Sequence, residues 1–110
     1  MNRARPAWRS VLHIHARPGR IKELATLFET EPIFAAAMET GCRGAELLVA
    51  ADEVVVLAAW DEFSDYQAWL ESPRRAGWAP AISNLADSQH GDIYRLVLPP
   101  DSPADDQPGI

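Results

Sequence analysis

The hydrophobic pattern of this 110-residue chain predicts an α+β fold, in which a four-stranded antiparallel sheet carries helices on one face. Two observations support this prediction. Stretches with strand-like alternation and stretches with helical periodicity follow one another in the order β-α-β-β-α-β. The two middle strands are joined only by Ala51-Asp52, and so short a link predicts an antiparallel hairpin. This order and pairing are typical of the ferredoxin-like fold.

The first half of the chain contains one predicted strand and one interrupted helix. In SVLHIHAR, residues 10–17, Leu12 and Ile14 point to one face and the residues between them to the other. From Gly19 onward, apolar residues recur at helical spacing, which predicts an amphipathic helix. A second, alanine-rich helical piece is predicted at Pro32–Glu39, because proline is favoured in a first helical turn.

In the second half of the chain, strand-like stretches are again followed by helical ones. The run EVVVLAAW is rich in β-branched residues, and we expect it to be a central strand. Proline cannot continue a helix but is favoured at its start, so Ser72-Pro73 separates two helices. The predicted elements are strands at Arg43–Ala50 and Glu53–Trp60, helices at Asp61–Glu71 and from Pro73, a loop at Ser88–Gly91 and a strand at Asp92–Leu98.

One face of the predicted sheet is left without helices. Alternation places an apolar group on it, consisting of Val11, Val55, Leu57 and Ala59. Apolar surfaces of this kind usually need a partner. We therefore expect a homodimer in which two sheets pack face to face.

The length fits one domain, which we assign to residues 10–98. Residues 1–9, with Pro6 and several arginines, are predicted to form an N-terminal arm. Residues 99–110 are rich in proline and aspartate and are predicted to be a disordered acidic tail.

The composition argues against several classes of function. A net charge of −6 disfavours nucleic acid or an anionic membrane as the main partner, since both attract clustered Lys and Arg. No stretch has the length of a membrane span or the apolar core of a signal peptide, so a cytoplasmic location is expected. The single cysteine, Cys42, excludes an internal disulfide and a multi-cysteine metal site.

Aromatic residues are concentrated in AAWDEFSDYQAWLESPRRAGW, residues 58–78. They lie on a strand end and on the two helices that follow, so they can converge between sheet and helices. Such a space suits a flat aromatic ligand, and indole N–H and phenol O–H groups supply hydrogen bonds. The alternative is that these side chains only fill the core. The candidate lining is Trp60, Tyr66, Trp69 and Trp78, with Leu12, Ile14 and Val56 on the same sheet face.

Polar candidates outside this cluster are few. On a strand, His13 and His15 lie about 7 Å apart, which suits two ligands of one metal. No third ligand has a matching spacing, so no metal is predicted. The two histidines are then interface residues, or one is a general base. His90 is predicted to be a solvated loop residue, and Arg74-Arg75 either contacts an acidic or phenolate substrate at a pocket mouth or begins a solvated helix.

The run VVVLAAWDEFSDYQAWLESPRRAGW, residues 54–78, resembles the antibiotic biosynthesis monooxygenase (ABM) family, whose members have a strand ending in Trp followed by a short polar helix start. HIHARPGRIKELATLF, residues 13–28, is similar to the first strand and helix of the same family. The resemblance spans residues 10–98 and implies a dimeric α/β barrel. Family members include cofactor-independent oxygenases that convert anthrones or hydroquinones to quinones, and haem-degrading enzymes.

The two enzyme branches differ in their match to this chain. The haem-degrading pattern keeps Trp69, but it has Leu12 in place of an Asn and Ala79 near the position of the histidine that would ligate iron. The anthrone-oxygenase pattern keeps Trp60 and Tyr66. This chain has Val56 in place of the Asn of that pattern, and Ala79 lies near the position of its Arg.

The second resemblance implies a monooxygenase with no cofactor that oxidises an aromatic polyketide with O₂. It implies catalytic roles for Trp60 and Tyr66, and the other lining residues would bind substrate. Two alternatives remain open. The chain is a non-catalytic ligand-binding or accessory dimer, or it is a polyketide cyclase on the same fold.

Overall fold

The structure is a computed structural model that describes residues 5–98. Its strands form a four-stranded antiparallel sheet in the order β2-β3-β1-β4, which confirms the predicted ferredoxin-like α+β fold. The predicted tail, residues 99–110, and the start of the predicted arm lie outside the described residues. The elements are β1 (Trp8–Ala16), α1 (Ile21–Thr30), α2 (Ile33–Met38), β2 (Cys42–Val49), β3 (Glu53–Trp60), α3 (Phe63–Leu70), α4 (Pro73–Leu85) and β4 (Ala86–Arg95).

The register of the central strands determines which side chains face the helices. In β1 and β3, Leu12 lies opposite Val56 and Ile14 opposite Val54. Directly paired residues of an antiparallel sheet project to the same face. The same register puts Ser10 opposite Ala58, so these side chains share the helix-covered face with Trp60.

Two buried clusters lie between this face and the helices. The first contains Ile14, Leu24 and Val54, all fully buried, together with Phe28 of α1. The second surrounds Trp60 near the other end of the sheet, and its remaining buried members are Ala37, Cys42 and Ala58. Burial of apolar surface in these clusters, at about 25 cal/mol per Å², is the main force holding the helices on the sheet.

Strand pairing extends two strands beyond their predicted limits. β1 begins at Trp8 because Trp8 pairs with both Trp60 and Arg95, so residues 8–9 belong to the sheet and not to an arm. The prediction of a loop at Ser88–Gly91 is wrong, since these residues are part of β4. Their polar character resembles a loop, but β4 is an edge strand, where polar side chains reach solvent while the backbone pairs with β1.

Prolines separate the helices, as predicted. α4 begins at Pro73, and the Ser72 hydroxyl accepts hydrogen bonds from the backbone N–H groups of Arg74 and Arg75 at 3.2 and 3.5 Å. This is an N-cap followed by proline at the first helical position. Pro32 lies just before α2 as its N-cap residue, one position earlier than expected. No helix within residues 5–98 is long and apolar enough to cross a membrane.

The second sheet face carries no helix and is called here the open face. The register places on it the predicted apolar group, which consists of Val11, Val55, Leu57 and Ala59. It also pairs His13 with His90, which corrects the prediction that His90 is a loop residue. The His13 Nδ1 atom lies 3.0 Å from a Glu53 oxygen, so polar pairs lie among the apolar side chains of this face.

A candidate aromatic-binding cavity

A cavity of about 410 Å³ lies between the helix-covered face of the sheet and the helices. Small-molecule sites in proteins usually measure about 300–1,000 Å³ and are mostly apolar. Most of the cavity wall consists of aromatic and aliphatic side chains, among them Phe28, Ile33, Phe34 and Ile82. The space is therefore suited in size and character to a flat aromatic molecule.

The cavity brings together six of the seven residues predicted from the sequence to form the site. Ile14 is the exception, since it is fully buried in the first core cluster and lies outside the cavity lining. It supports the sheet beneath the cavity and has no surface exposed to a ligand. The residues that line the cavity are Leu12, Val56, Trp60, Tyr66, Trp69 and Trp78.

Trp60 forms the deepest part of this aromatic wall. Its side chain is 1% exposed, and its indole Nε1–H donates a hydrogen bond to Ser10 Oγ at 2.9 Å. Because the donor is already occupied, Trp60 offers the cavity an apolar ring surface. The ring meets Tyr66 edge-on, with 5.6 Å between the ring centroids.

Tyr66 lies on α3 and brings a hydroxyl group to the cavity wall. Burial raises the pKa of Tyr66; the positive charge of Arg75 opposes this shift and the negative charge of Asp92 adds to it. The phenol is therefore neutral at physiological pH and carries an O–H group that a ligand can accept from. Contacts with Trp60 and with Phe63, whose centroid is 6.2 Å away, hold the ring in place.

Trp78 closes the cavity from α4. Its Nε1–H donates to a Glu31 carboxylate oxygen at 2.9 Å, and the guanidinium of Arg74 lies over its ring at 5.8 Å from the centroid. Arg74 also forms an ion pair with Glu39 at 2.8 Å. These contacts join α4 to α1 and to the end of α2, so the position of the Trp78 ring depends on three helices.

Four further polar residues complete the lining: Ser10, Arg75, Gln89 and His90. Arg75 was predicted as one alternative for a pocket mouth, and the structure places it in the cavity wall. Ser10 and Gln89 were not identified from the sequence. Alternation does place Ser10 on the face of Leu12, so strand periodicity was a usable signal for it. The sequence offered no such signal for Gln89, because its segment was interpreted as a loop.

The remaining polar candidates lie away from the cavity. His13 pairs with Glu53 on the open face, and the Nε2 atom of His15 lies 3.6 Å from a carboxylate oxygen of Asp52. Within residues 5–98, no group of three or more His, Cys, Asp or Glu side chains has an arrangement that would hold a metal ion.

The cysteine is structural in character. Cys42 is buried, its Sγ atom donates to the Gly44 carbonyl oxygen at 3.3 Å, and burial raises the pKa of the thiol. A protonated, buried thiol is a poor nucleophile.

A four-stranded antiparallel sheet with helices on one face and an aromatic-lined cavity beneath them defines a class of small α+β domains. Within that class, the family model described as "Antibiotic biosynthesis monooxygenase" (ABM) matches residues 9–81 of this chain. The match covers more than half of the sequence. The chain belongs to the ABM family.

Solved structures share the fold at low sequence identity. A protein of unknown function from Nitrosomonas europaea has a TM-score of 0.74 and 18% identity over 86% of this chain and 93% of its own. A candidate antibiotic biosynthesis monooxygenase from Chloroflexus aurantiacus has a TM-score of 0.62 and 16% identity, over 82% and 92%. A dimeric ferredoxin-like protein from an uncultured marine organism has a TM-score of 0.68 and 12% identity, over 84% and 89%.

At these identities the likeness concerns the fold alone. Comparison with curated protein sequences gave no significant match.

Proposed function

We propose that this protein is a monooxygenase that uses no added cofactor and oxidises an anthrone- or hydroquinone-type intermediate of an aromatic polyketide antibiotic to a quinone. The observation that carries the proposal is the aromatic-lined cavity with a neutral Tyr66 hydroxyl in its wall. Membership of the ABM family supports monooxygenation as the reaction class.

The reaction inserts one oxygen atom of O₂ at a benzylic carbon. Loss of one benzylic proton to solvent gives an enolate, which transfers an electron to O₂. The resulting carbon radical combines with superoxide, and the peroxide anion takes up a proton to form a hydroperoxide. The hydroperoxide loses water, so that a CH₂ group and O₂ become C=O and H₂O. The Tyr66 hydroxyl donates to the substrate oxygen on which the enolate charge develops, and the apolar wall keeps water from the reactive carbanion.

The other lining residues serve this step by holding the substrate. Trp60 forms a wall of the cavity and positions Tyr66, since its indole N–H is engaged by Ser10 and its ring contacts the phenol. Leu12 and Val56 form the sheet side of the cavity, opposite the helices. Trp69 and Trp78 complete the site by enclosing the flat face of the substrate.

Oxygen uptake with 1,8-dihydroxy-9-anthrone tests this proposal. We expect the purified protein to consume O₂ and form the anthraquinone, and Tyr66→Phe to lower kcat about 100-fold, as loss of a donor to a developing oxyanion does. Tyr94→Phe is the matched control, because Tyr94 is exposed and is not part of the cavity lining. Full activity in both Tyr66→Phe and Trp60→Phe would refute the assigned roles.

The apolar side chains at two positions favour a second candidate, a ligand-binding or accessory role without turnover. Val56 and Ala79, which replace polar groups of the anthrone-oxygenase pattern, both line the cavity. A polyketide cyclase would also use such a cavity but would not need O₂. Aerobic and anaerobic incubations with the same substrate separate the three candidates. An oxygenase forms product only with O₂, a cyclase forms product with or without O₂, and a binding protein forms no product.

We also propose that the protein acts as a homodimer joined through the open face. The apolar group there, with Val55 and Leu57 at its centre, is half-exposed in one chain. One structural neighbour is itself described as dimeric. Two copies related by a twofold axis would cover both apolar groups at once.

A further inference from the structure

One cation in the cavity wall has no carboxylate partner among the described residues. Arg75 of α4 is half-buried, and its single hydrogen bond from the side chain goes to the Leu70 carbonyl oxygen at 3.4 Å. The ion pairs in residues 5–98 involve other cations, and Arg74, its neighbour in sequence, is paired with Glu39 and stacked on Trp78. Two adjacent arginines thus have different surroundings.

The surroundings of Arg75 solvate its charge only in part. The side chain borders an apolar cavity whose nearby wall includes Leu70, Trp78 and Ala79. A charge brought out of water beside apolar groups costs free energy unless an opposite charge or several hydrogen bonds compensate it. Asp92 forms no ion pair with Arg75 among the described residues, and its carboxylate lies 2.7 Å from His90 Nε2 instead.

The guanidinium group has a planar fork of five N–H donors, and here most of them have no acceptor in the described part of the chain. This fork matches the two oxygens of a carboxylate, which it binds with two parallel hydrogen bonds. The protein as a whole carries a net charge of −6, so its overall charge does not attract an anionic ligand, whereas a positive group in the cavity wall does.

We propose that Arg75 binds a carboxylate group on the aromatic ligand, so that the cavity selects carboxylated polycyclic aromatics over neutral ones. This inference deepens the proposed function and rests on it for the identity of the site. Arg75 and Tyr66 both line the cavity, from consecutive helices. A ligand held by its carboxylate at Arg75 therefore presents its ring oxygens to Tyr66 in a single orientation.

Binding of a quinone tests the inference without turnover. The probes are anthraquinone-2-carboxylate and its neutral isostere anthraquinone-2-carboxamide, and binding is followed by quenching of tryptophan fluorescence. We expect the wild-type protein to bind the carboxylate more tightly, and Arg75→Gln to weaken that binding about 10- to 100-fold while leaving the carboxamide unchanged. Loss of a hydrogen-bonded charge pair lowers binding affinity by a factor of this size.

Two further variants make the result specific. Arg20→Gln removes the same charge from the start of α1, where the side chain is 44% exposed and lies outside the cavity, and should leave the preference intact. Arg75→Lys keeps the charge but loses the fork, and should retain part of the preference even if Arg75→Gln folds poorly. The inference is overturned if wild-type protein binds both probes equally or does not bind the carboxylate, or if either Arg75 variant keeps the full preference.

Oxygen uptake separates this inference from the proposed function. With 1,8-dihydroxy-9-anthrone-3-carboxylate as substrate, Arg75→Gln should raise KM far more than it lowers kcat, because Arg75 binds a part of the substrate that does not react. Binding selectivity without O₂ consumption would refute the oxygenase and leave the carboxylate site standing. O₂ consumption without a preference for the carboxylate would support the oxygenase and refute the carboxylate site.

Discussion

A single hydrogen bond fixes the largest buried side chain of the cavity wall. Trp60 Nε1 donates to Ser10 Oγ at 2.9 Å, and this bond links β3 to β1 beneath Tyr66. Tryptophan is rarely buried without a partner for its N–H, and here that partner is a strand residue with no obvious signature. The same contact keeps the indole from serving as a donor to substrate.

Ser10→Ala should therefore destabilise the protein by about 1–3 kcal/mol, because it leaves a buried indole N–H without an acceptor. Urea unfolding followed by circular dichroism measures this change. The double variant Ser10→Ala with Trp60→Phe is the control, since removal of both partners should cost less than the sum of the single changes. Strict additivity would show that the bond contributes nothing.

The ionisation of Tyr66 makes stability depend on pH in the alkaline range. Burial raises the pKa of Tyr66 above the model-peptide value of 10.0, so the folded state holds its proton more tightly than the unfolded state. The resulting stabilisation is fully present below the unfolded pKa and is lost as pH rises through the folded pKa.

We expect a spectrophotometric titration at about 295 nm to show a phenol that ionises above pH 10.0 and is absent from Tyr66→Phe. The wild-type protein should also lose stability relative to this variant only on the alkaline side of that value. A Tyr66 transition below pH 10.0 would contradict the assigned burial and would make the phenolate a candidate base.

At the scale of elements, the turn between α2 and β2 fixes the position of α3. Gly41 has a φ of +112°, and a Cβ atom placed there would lie 2.6 Å from Cγ of Asp65 on α3. Only glycine combines this backbone conformation with so close an approach. Since Tyr66 follows Asp65 in the same helix, the turn also affects the cavity.

Gly41→Ala should destabilise the protein by about 2 kcal/mol or more, through backbone strain and the contact with Asp65. Gly19→Ala is the matched control, because Gly19 also has a positive φ, +77°, but open space around its Cβ position. We expect its cost to be about 1 kcal/mol. Equal losses in melting temperature for the two variants would argue against the contact with α3.

The helices and strands also show which local sequence patterns were sufficient to predict where an element begins. Pro73 after Ser72 was interpreted as a helix start, and the structure confirms it, because capping and the fixed φ of proline act within one turn. β4 was predicted six residues too late, at Asp92 instead of Ala86. Its polar first half pairs along β1, and that pairing depends on a partner distant in sequence.

At the scale of the whole molecule, the two faces of the sheet have separate roles. One face holds the cavity, and the open face holds the apolar group that we propose as the dimer interface. Leu57 lies near its centre, opposite Val11 of β1. The interface then lies on the opposite side of the sheet from the cavity.

Leu57→Arg should convert the homodimer to a monomer, because the change places a charge at the centre of an apolar contact and costs several kcal/mol. Sedimentation velocity measures the oligomeric state directly. Met38→Lys is the control, since Met38 is 51% exposed on α2 and lies on the helix side of the sheet. A wild-type monomer, or a dimer that survives Leu57→Arg, would refute the proposed interface.

The sequence by itself determined the fold class, the hairpin, the start of α4 and six residues of the cavity wall. Strand alternation placed Leu12, Val56 and Trp60 on one face, and helical spacing turned Tyr66 toward it. These features follow from periodicity and turn chemistry, which are local properties of the chain.

Only the tertiary structure decided how deeply each residue is buried and what it contacts. It put Ile14 beneath the cavity and Leu12 in its wall, joined Trp60 to Ser10, and left Arg75 without a carboxylate partner within residues 5–98. Depth and partnership depend on contacts between residues far apart in the chain. Local patterns do not encode those contacts, because the same alternation fits a core residue and a cavity residue equally well.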